Sequence, residues 1–284
     1  MSLFLALLYV FIWGSAFNAA RVVALEWPAL WALALRFFIV VPLLWGIWRW
    51  RGGAFPRGKD RWRLAAMGAF GMGGYLACAW VASAHVPSGL VALLAATSPL
   101  FVALGSSLRG EKLKQGGWLG LALGWLGVAV LGVTRSLDGL AAAEAWGIGL
   151  TLLGAAMQAT GVLAYAPARG RMDAWAANLG QTAVAALVLV VLAGLVGGPV
   201  PQVATPAFAW GMLYSCVIVG VGGYALFFVV IRRFGASNAA ALQLLSPPVA
   251  ALIGWALLGE KLAWGDLAGG TITLAGLLLM FRAR

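Results

Sequence analysis

The chain has 284 residues, of which 63% are hydrophobic and only 10% are charged, and its mean hydropathy is +0.96. A soluble domain carries about 25% charged residues, so the composition excludes a soluble globular protein and indicates an integral membrane protein. The net charge of +11 raises the question of a nucleic-acid partner, which only the placement of the basic residues can answer.

Apolar segments of the length of a membrane span follow one another along the whole chain. A spanning helix needs about 20 mostly apolar residues, and the short connections leave no room for a soluble domain. We therefore predict an all-α membrane protein of ten transmembrane helices. The predicted spans cover roughly residues 3–24, 28–48, 64–84, 87–108, 116–134, 145–167, 174–196, 207–230, 238–258 and 263–281.

The basic residues fall on one side of these spans. If the amino terminus is cytoplasmic, every Lys and Arg except Arg21, Arg36, Arg135 and Lys261 lies in a cytoplasmic loop or at a cytoplasmic helix end. This is the positive-inside pattern, so we predict a multi-pass membrane protein with both termini in the cytoplasm. The charge is then explained by topology, and we expect no nucleic-acid partner.

The stretch 88–127 is repeated at 237–276 with a constant offset of 149 residues. Thirteen of its forty positions are identical, whereas chance should match about a tenth in such a chain. We predict two repeats, 1–141 and 142–284. Five spans per repeat is an odd number, so the second repeat is inverted, a plan of secondary transporters in which the two repeats enclose a central cavity with a midplane substrate site. The repeated Gly-Glu-Lys-Leu block is interpreted as a helix-connecting turn.

Prolines interrupt two equivalent spans. Pro99 in the fourth span aligns with Pro248 in the ninth, where Pro247 precedes it. Proline removes a backbone donor and frees a carbonyl about one turn earlier. We interpret these three prolines as candidate hinges, with a purely structural kink as the alternative.

Glycines recur at four-residue spacing in the fifth and tenth spans. They are Gly116, Gly120 and Gly124, and then Gly265 and Gly269. This spacing lets two helix backbones approach closely. The contact is predicted either within a monomer or at the face of a homodimer.

Uncharged polar and aromatic side chains inside the spans are the candidates for a binding site. All eight acidic residues lie at or near span ends, which leaves no paired carboxylates for acid–base chemistry. No spacing resembles a metal site, and we expect neither a metal nor a cofactor. Polar groups in hydrocarbon should face a cavity, or else bond across helices. The predicted substrate-binding residues are Trp13, Tyr75, Cys78, Ser98, Gln158, Tyr224, Gln243 and Ser246. Further candidates for the lining are Asn18, Thr97, Tyr165, Asn178, Gln181 and Tyr214.

Arg36 is the only charge deep within a predicted span. Long basic side chains near helix ends commonly extend to the membrane interface. We favour that structural role, or pairing with a helix carboxyl end, and keep anion binding as the alternative.

The order of the short motifs resembles that of a known family. Residues 13–15 (Trp-Gly-Ser), 98–101 and 110–113, with the second copy at 246–249 and 258–262, resemble the EamA-type branch of the drug/metabolite transporter superfamily over essentially the whole chain. The resemblance implies a ten-helix exporter of bacterial inner membranes, with four helices of each repeat around the cavity and the fifth outside it. Within the branch, the chain looks most like the aromatic and broad-range amino-acid exporters.

We therefore predict a secondary transporter, not an enzyme, that exports neutral amino acids or related metabolites by alternating access. The small residues at 95–98, and Gln158 where the family offers Trp, favour a broad range over strict aromatic selectivity. The alternatives are another cargo, such as quaternary ammonium compounds or nucleotide sugars, or a lipid-modifying enzyme built on His85 with Glu26 and Glu144. The expected partners are a small-molecule substrate and membrane lipid, in a monomer or homodimer.

Overall fold

The computed structural model describes residues 2–110, 113–137, 141–168, 171–199, 203–223, 226, 229–230, 233, 242–261 and 263–283. Every regular element in these ranges is helical, because a backbone in lipid must satisfy its polar groups within its own segment. The α-helices are α1 (Ser2–Glu26), α2 (Ala29–Arg51), α3 (Lys59–Ala66), α4 (Tyr75–Ser83), α5 (Ser88–Ala95), α6 (Ser98–Leu108), α7 (Gln115–Leu137), α8 (Ala142–Tyr165), α9 (Ala174–Val196), α10 (Pro206–Leu213), α11 (Ser246–Leu258) and α12 (Trp264–Arg282). π-helical stretches at Met67–Gly74 and Tyr214–Gly223 continue α3 and α10, and a 3₁₀ turn at Ala166–Ala168 follows α8.

The described residues contain nine helical segments that are long and apolar enough to cross a membrane. The shorter apolar helix α11 belongs to the ninth predicted span, which begins at 238, outside the described residues. Large apolar side chains such as Phe38, Leu195 and Leu257 are exposed on the outside of the bundle, where lipid would cover them. The prediction of an all-α, multi-spanning membrane fold is confirmed.

Successive crossings alternate in direction, which gives the bundle two faces. We call the face with the start of α1 and the end of α12 the terminal face. The opposite face holds the end of α1, the start of α5 and the connection between α11 and α12. The largest cluster of buried apolar side chains surrounds α2, with contributions from α1, α4, α9 and α10.

Helix interruptions occur at equivalent places in the fourth and ninth spans. Pro99 has no amide proton, and α5 ends just before it. The amide of Thr97 donates to the carbonyl of Leu94, three residues back, at 3.1 Å. In the ninth span the interruption falls at 244–245, just before the prolines at 247–248. Their proposed action as hinges stays a prediction.

The two π-helical stretches also occupy equivalent positions, in the third (Lys59–Ser83) and eighth (Pro206–Gly223) membrane crossings. Both run into Gly-x-Gly-Gly-Tyr, at 71–75 and 220–224, with the same offset of 149 residues. The amide of Tyr75 donates to the carbonyl of Phe70, five residues back, as a π-helix requires. The internal repeat therefore extends further than the sequence analysis recognised.

The glycines of α7 and α12 pack these two helices against each other. A Cβ atom on Gly120 would lie 2.6 Å from the carbonyl oxygen of Gly276, and one on Gly269 would lie 2.7 Å from that of Gly127. Both distances are too short for a side chain. These glycines therefore serve close packing within one chain.

Replacing Gly276 by Ala should destabilise the protein, because the added methyl group has to push the α7 backbone away. Overpacking of this kind costs about 1–3 kcal/mol. We expect a lower midpoint of thermal unfolding in detergent. The matched control is Gly149→Ala in α8, where a Cβ atom meets nothing within 4 Å, and an equal midpoint for the two variants would contradict the role given to Gly276.

Candidate substrate cavity

A cavity of about 700 Å³ lies between the two halves of the chain, within the range usual for small-molecule sites. Its lining comes from α1, α2, α8, α9, the third and eighth crossings, and Gln243. It extends from Ser83, near the opposite face, to Tyr165 and Met172 at the terminal face. Among the described residues, the fourth, fifth and tenth crossings contribute nothing to the lining, although the resemblance implies a role for the fourth.

Several side chains that the sequence put forward meet in this cavity. They are Trp13, Tyr75, Gln158, Tyr165, Asn178, Gln181 and Gln243. Cys78, Ser98 and Ser246 are buried but do not line it. Cys78 instead contacts α8, where a Cβ atom on Gly154 would lie 2.9 Å from the Cys78 Cβ. Tyr224 lies outside the described residues.

Two other candidates, Asn18 and Tyr214, form hydrogen bonds between helices, which was the alternative to a place in the cavity lining. The hydroxyl groups of Ser15 and Tyr214 lie 2.6 Å apart and join α1 to the eighth crossing. The side-chain amide of Asn18 donates to the carbonyl of Ala250 in α11 at 3.2 Å. These contacts hold α1 against the second half of the chain.

Arg36 and Trp80 also line the cavity, and neither was among the lining residues predicted from the sequence. Arg36 is 7% exposed, so it does not extend to the membrane interface as expected. Its guanidinium carbon lies 5.5 Å from the centre of the Trp80 ring and 5.7 Å from that of Phe37. Arg36 shares a helix face with Val40, which lines the cavity one turn later, and the signal available in the sequence was its isolated charge within a predicted span.

The described lining consists of aromatic rings, amides, hydroxyls, apolar groups and the guanidinium of Arg36. Its described residues include no Asp or Glu. Across the part of the chain that the structure describes, no group of three or more His, Cys, Asp or Glu side chains could hold a metal ion. Such a lining can bind and release a small ligand through hydrogen bonds, ring contacts and one positive charge.

A second polar group, the Glu260 cluster, joins Asn18, Arg21, Ser88 and Glu260 at the opposite face. Arg21 Nε lies 2.8 Å from Glu260 Oε1. The backbone amide of Ser88 donates to the two carboxylate oxygens at 2.9 and 3.0 Å. The Ser88 hydroxyl lies 2.7 Å from both Glu260 Oε2 and Asn18 Oδ1. The carboxylate therefore satisfies the amino-terminal end of α5, and it ties α1 and α5 to the connection after α11.

Two glycines allow Glu260 to reach this position. Gly259 ends α11 with φ of 64°, a left-handed conformation that glycine adopts without strain. At Gly254 a Cβ atom would collide with the Glu260 carboxylate and lie 2.7 Å from the Ser88 hydroxyl. The interpretation of 259–262 as only a connecting turn therefore missed the contacts of Glu260.

One protein-family model matches almost the whole chain. The EamA-like transporter family model matches residues 1–133 and 145–282. A crystal structure of a protein 18% identical to this chain superimposes with a TM-score of 0.64, covering 98% of this chain and 95% of that one. At this identity, the likeness shows the fold alone.

Three relatives of the chain are named as transporters, exporters or efflux pumps. The chain is 28% identical over 276 residues to the uncharacterized inner membrane transporter YedA of Escherichia coli K12, covering 96% of this chain and 88% of the relative. It is 30% identical over 282 residues to a probable terminal-alkyne amino-acid exporter of Streptantibioticus cattleyicolor, covering 97% and 91%. It is 28% identical over 295 residues to a probable amino-acid metabolite efflux pump of Salmonella typhimurium, covering 97% and 93%.

Glu260→Gln should destabilise the protein, because it leaves the partly buried Arg21 without its counter-charge. Breaking one side of a buried ion pair costs about 3–5 kcal/mol, and removing both charges costs much less. We therefore expect the double variant Arg21→Gln/Glu260→Gln to recover part of the lost unfolding midpoint, with Glu26→Gln, an exposed carboxylate on the same face, as the control. Additive effects of the two single changes would rule out the coupling.

Proposed function

The chain belongs to the EamA-like transporter family, so it is a small-molecule transporter rather than an enzyme, and we propose that it exports amino acids or related small metabolites across a bacterial inner membrane. The observation that carries this proposal is the 700 Å³ cavity with its aromatic and amide lining. The names of two relatives, both referring to amino-acid export, support the same substrate class.

The lining favours neutral amino acids of several sizes. Trp13, Tyr75 and Trp80 offer flat apolar surfaces for a side chain, while Gln158 and Gln243 can exchange hydrogen bonds with polar groups. Hydrogen-bonding groups are spread over α1, α8 and α9 rather than gathered around one small pocket. This arrangement supports a broad range that includes aromatic substrates.

The other cargoes fit the charge of the lining less well. A quaternary ammonium compound would meet the positive charge of Arg36 without a described carboxylate to offset it. A nucleotide sugar carries two phosphate groups, which call for several cationic side chains, and the described lining provides Arg36 alone. The charge therefore supports a substrate with little or no net charge.

Transport would proceed by rocking of two inverted repeats, 1–141 and 142–284, about the cavity. The two stretches matched by the family model support this division. The cavity lining reaches the terminal face, whereas the Glu260 cluster ties the halves together at the opposite face. With the basic terminal face in the cytoplasm, the structure corresponds to an inward-facing state, and the Glu260 cluster is its external gate.

Opening of that gate requires α5 and α11 to separate. Both belong to spans with matched interruptions, which supports Pro99, Pro247 and Pro248 as hinge positions. The glycine faces of α7 and α12 are occupied by each other, which supports transport by a monomer.

Proteoliposomes should take up labelled amino acids faster than empty liposomes. Trp13→Leu should slow uptake about fivefold, the effect of losing roughly 1 kcal/mol of contact. Trp255→Leu is the matched control, because Trp255 is 66% exposed on the outside of α11. Rates equal to those of empty liposomes for all twenty common amino acids would overturn the proposal.

Thiol labelling tests the gate. Ala20 lines the cavity near the opposite face and is 3% exposed, so an Ala20→Cys variant should react slowly with an impermeant maleimide added outside cells. Adding Glu260→Gln should raise the labelling rate, because it weakens the contact that closes this face, while adding Glu26→Gln should not. If the labelling rate does not change with Glu260→Gln, the Glu260 cluster does not close this face.

A further inference from the structure

We infer that Arg36 binds the carboxylate of the transported molecule, so that the cavity selects substrates with one carboxylate over amides and amines of the same shape. This inference rests on the proposed transport function and adds the group of the substrate that is recognised. It concerns Arg36 alone, for which the sequence favoured a structural role and left anion binding as the alternative.

The placement of Arg36 is the first support. It is buried, with 7% of its surface exposed, and it belongs to the cavity lining. Counted from the start of α2 at Ala29, it lies about 10 Å into the helix at 1.5 Å per residue. A charge at that depth marks a substrate or ion pathway more often than it serves packing.

The charge of the surroundings is the second support. No carboxylate belongs to the described lining, where Arg36 supplies a positive charge, and this charge attracts an anionic group. Within the protein, a charge–charge contact is several times stronger than in bulk water. A guanidinium also matches a carboxylate with two parallel hydrogen bonds.

The aromatic neighbours are the third support. The Trp80 and Phe37 rings lie 5.5 and 5.7 Å from the guanidinium carbon, at cation–π distance. These contacts hold the side chain at the cavity wall. A carboxylate bound there would lie beside the Trp80 ring, which can contact the side chain of the substrate.

The position between the two halves is the fourth support. The Cys216 thiol lies 4.0 Å from the backbone carbonyl of Arg36. A Cβ atom on Gly220 would lie 3.2 Å from Val40 Cγ2, one turn along α2. The Arg36 face of α2 therefore packs against the π-helical stretch Tyr214–Gly223 of the second half. The surroundings of a carboxylate bound to Arg36 would therefore change when the two halves move relative to each other.

One fixed positive charge suits one carboxylate. The ammonium group of an amino acid is then left to amide oxygens and aromatic faces elsewhere in the lining. An amine that lacks the carboxylate loses the only charged contact that the described lining offers it. A dicarboxylate would keep one charge without a partner.

The test is competition in proteoliposomes. The labelled substrate is an amino acid from the panel of twenty that the wild type transports. Uptake of this substrate is measured in the presence of the unlabelled acid, its amide or the primary amine that lacks the carboxylate. For phenylalanine the last two are phenylalaninamide and phenethylamine. We expect the acid to compete about tenfold better or more, since the bond to arginine is charge-assisted. Arg36→Gln should reduce this ratio to near one, and Arg36→Lys should retain part of it because the charge remains. Arg282→Gln, at an exposed position at the end of α12, is the control and should keep the full ratio.

The outcomes separate the two claims. Transport in which acids, amides and amines compete equally would overturn the carboxylate site and leave the proposed function standing. If a folded Arg36→Gln variant keeps the wild-type ratio between acid and amide or amine competition, the carboxylate site is also overturned and the proposed function stands. If Arg36→Gln does not fold, as judged by its unfolding midpoint in detergent, the wild-type ratio and that of Arg36→Lys decide. Failure to transport any of the twenty amino acids would overturn the proposed function and the inference with it.

Discussion

The structure depends on the cost of leaving a polar group without a partner in hydrocarbon, which amounts to several kcal/mol. Apolar side chains gain nothing by clustering away from lipid tails that are as apolar as they are, so Phe38 and Leu257 lie outside. Close backbone packing and polar contacts must hold the helices instead. The glycines of α7 and α12 supply the first, and the Glu260 cluster supplies the second.

The Glu260 cluster differs in kind from the cavity lining. Its carboxylate is met by the Arg21 side chain and by the amide and hydroxyl of Ser88, all at 3.0 Å or less. Buried ion pairs add little net stability, but they select one arrangement over others. Short, directional bonds are lost together when the elements separate, which suits a gate with two states. The lining instead offers ring faces and amides that tolerate ligands of several shapes.

Irregular backbone occurs where the bundle can satisfy it. The Thr97 hydroxyl donates to the carbonyl of Leu94 at 2.6 Å, so this carbonyl has partners although the helix is interrupted just after α5. The π-helical stretch Met67–Gly74 contributes Met67, Gly71 and Met72 to the cavity wall. Irregular segments of this kind are tolerated at membrane depth only in contact with protein or a cavity. Their recurrence at an offset of 149 residues indicates that the irregularity is part of the repeated design.

The sequence by itself determined the helical class, the predicted spans and the internal repeat, because hydropathy and residue identity are local and can be summed along the chain. It also put forward Trp13, Gln158 and Gln243 for the cavity lining, where the structure has them, since polar groups within spans have few places to lie. Only the tertiary structure decided that Arg36 lines the cavity and that Glu260 reaches α1 and α5. In a membrane helix the faces toward lipid and toward protein are both apolar, so the pattern that orients a helix in a soluble protein is missing, and the partners of a side chain depend on how the helices pack.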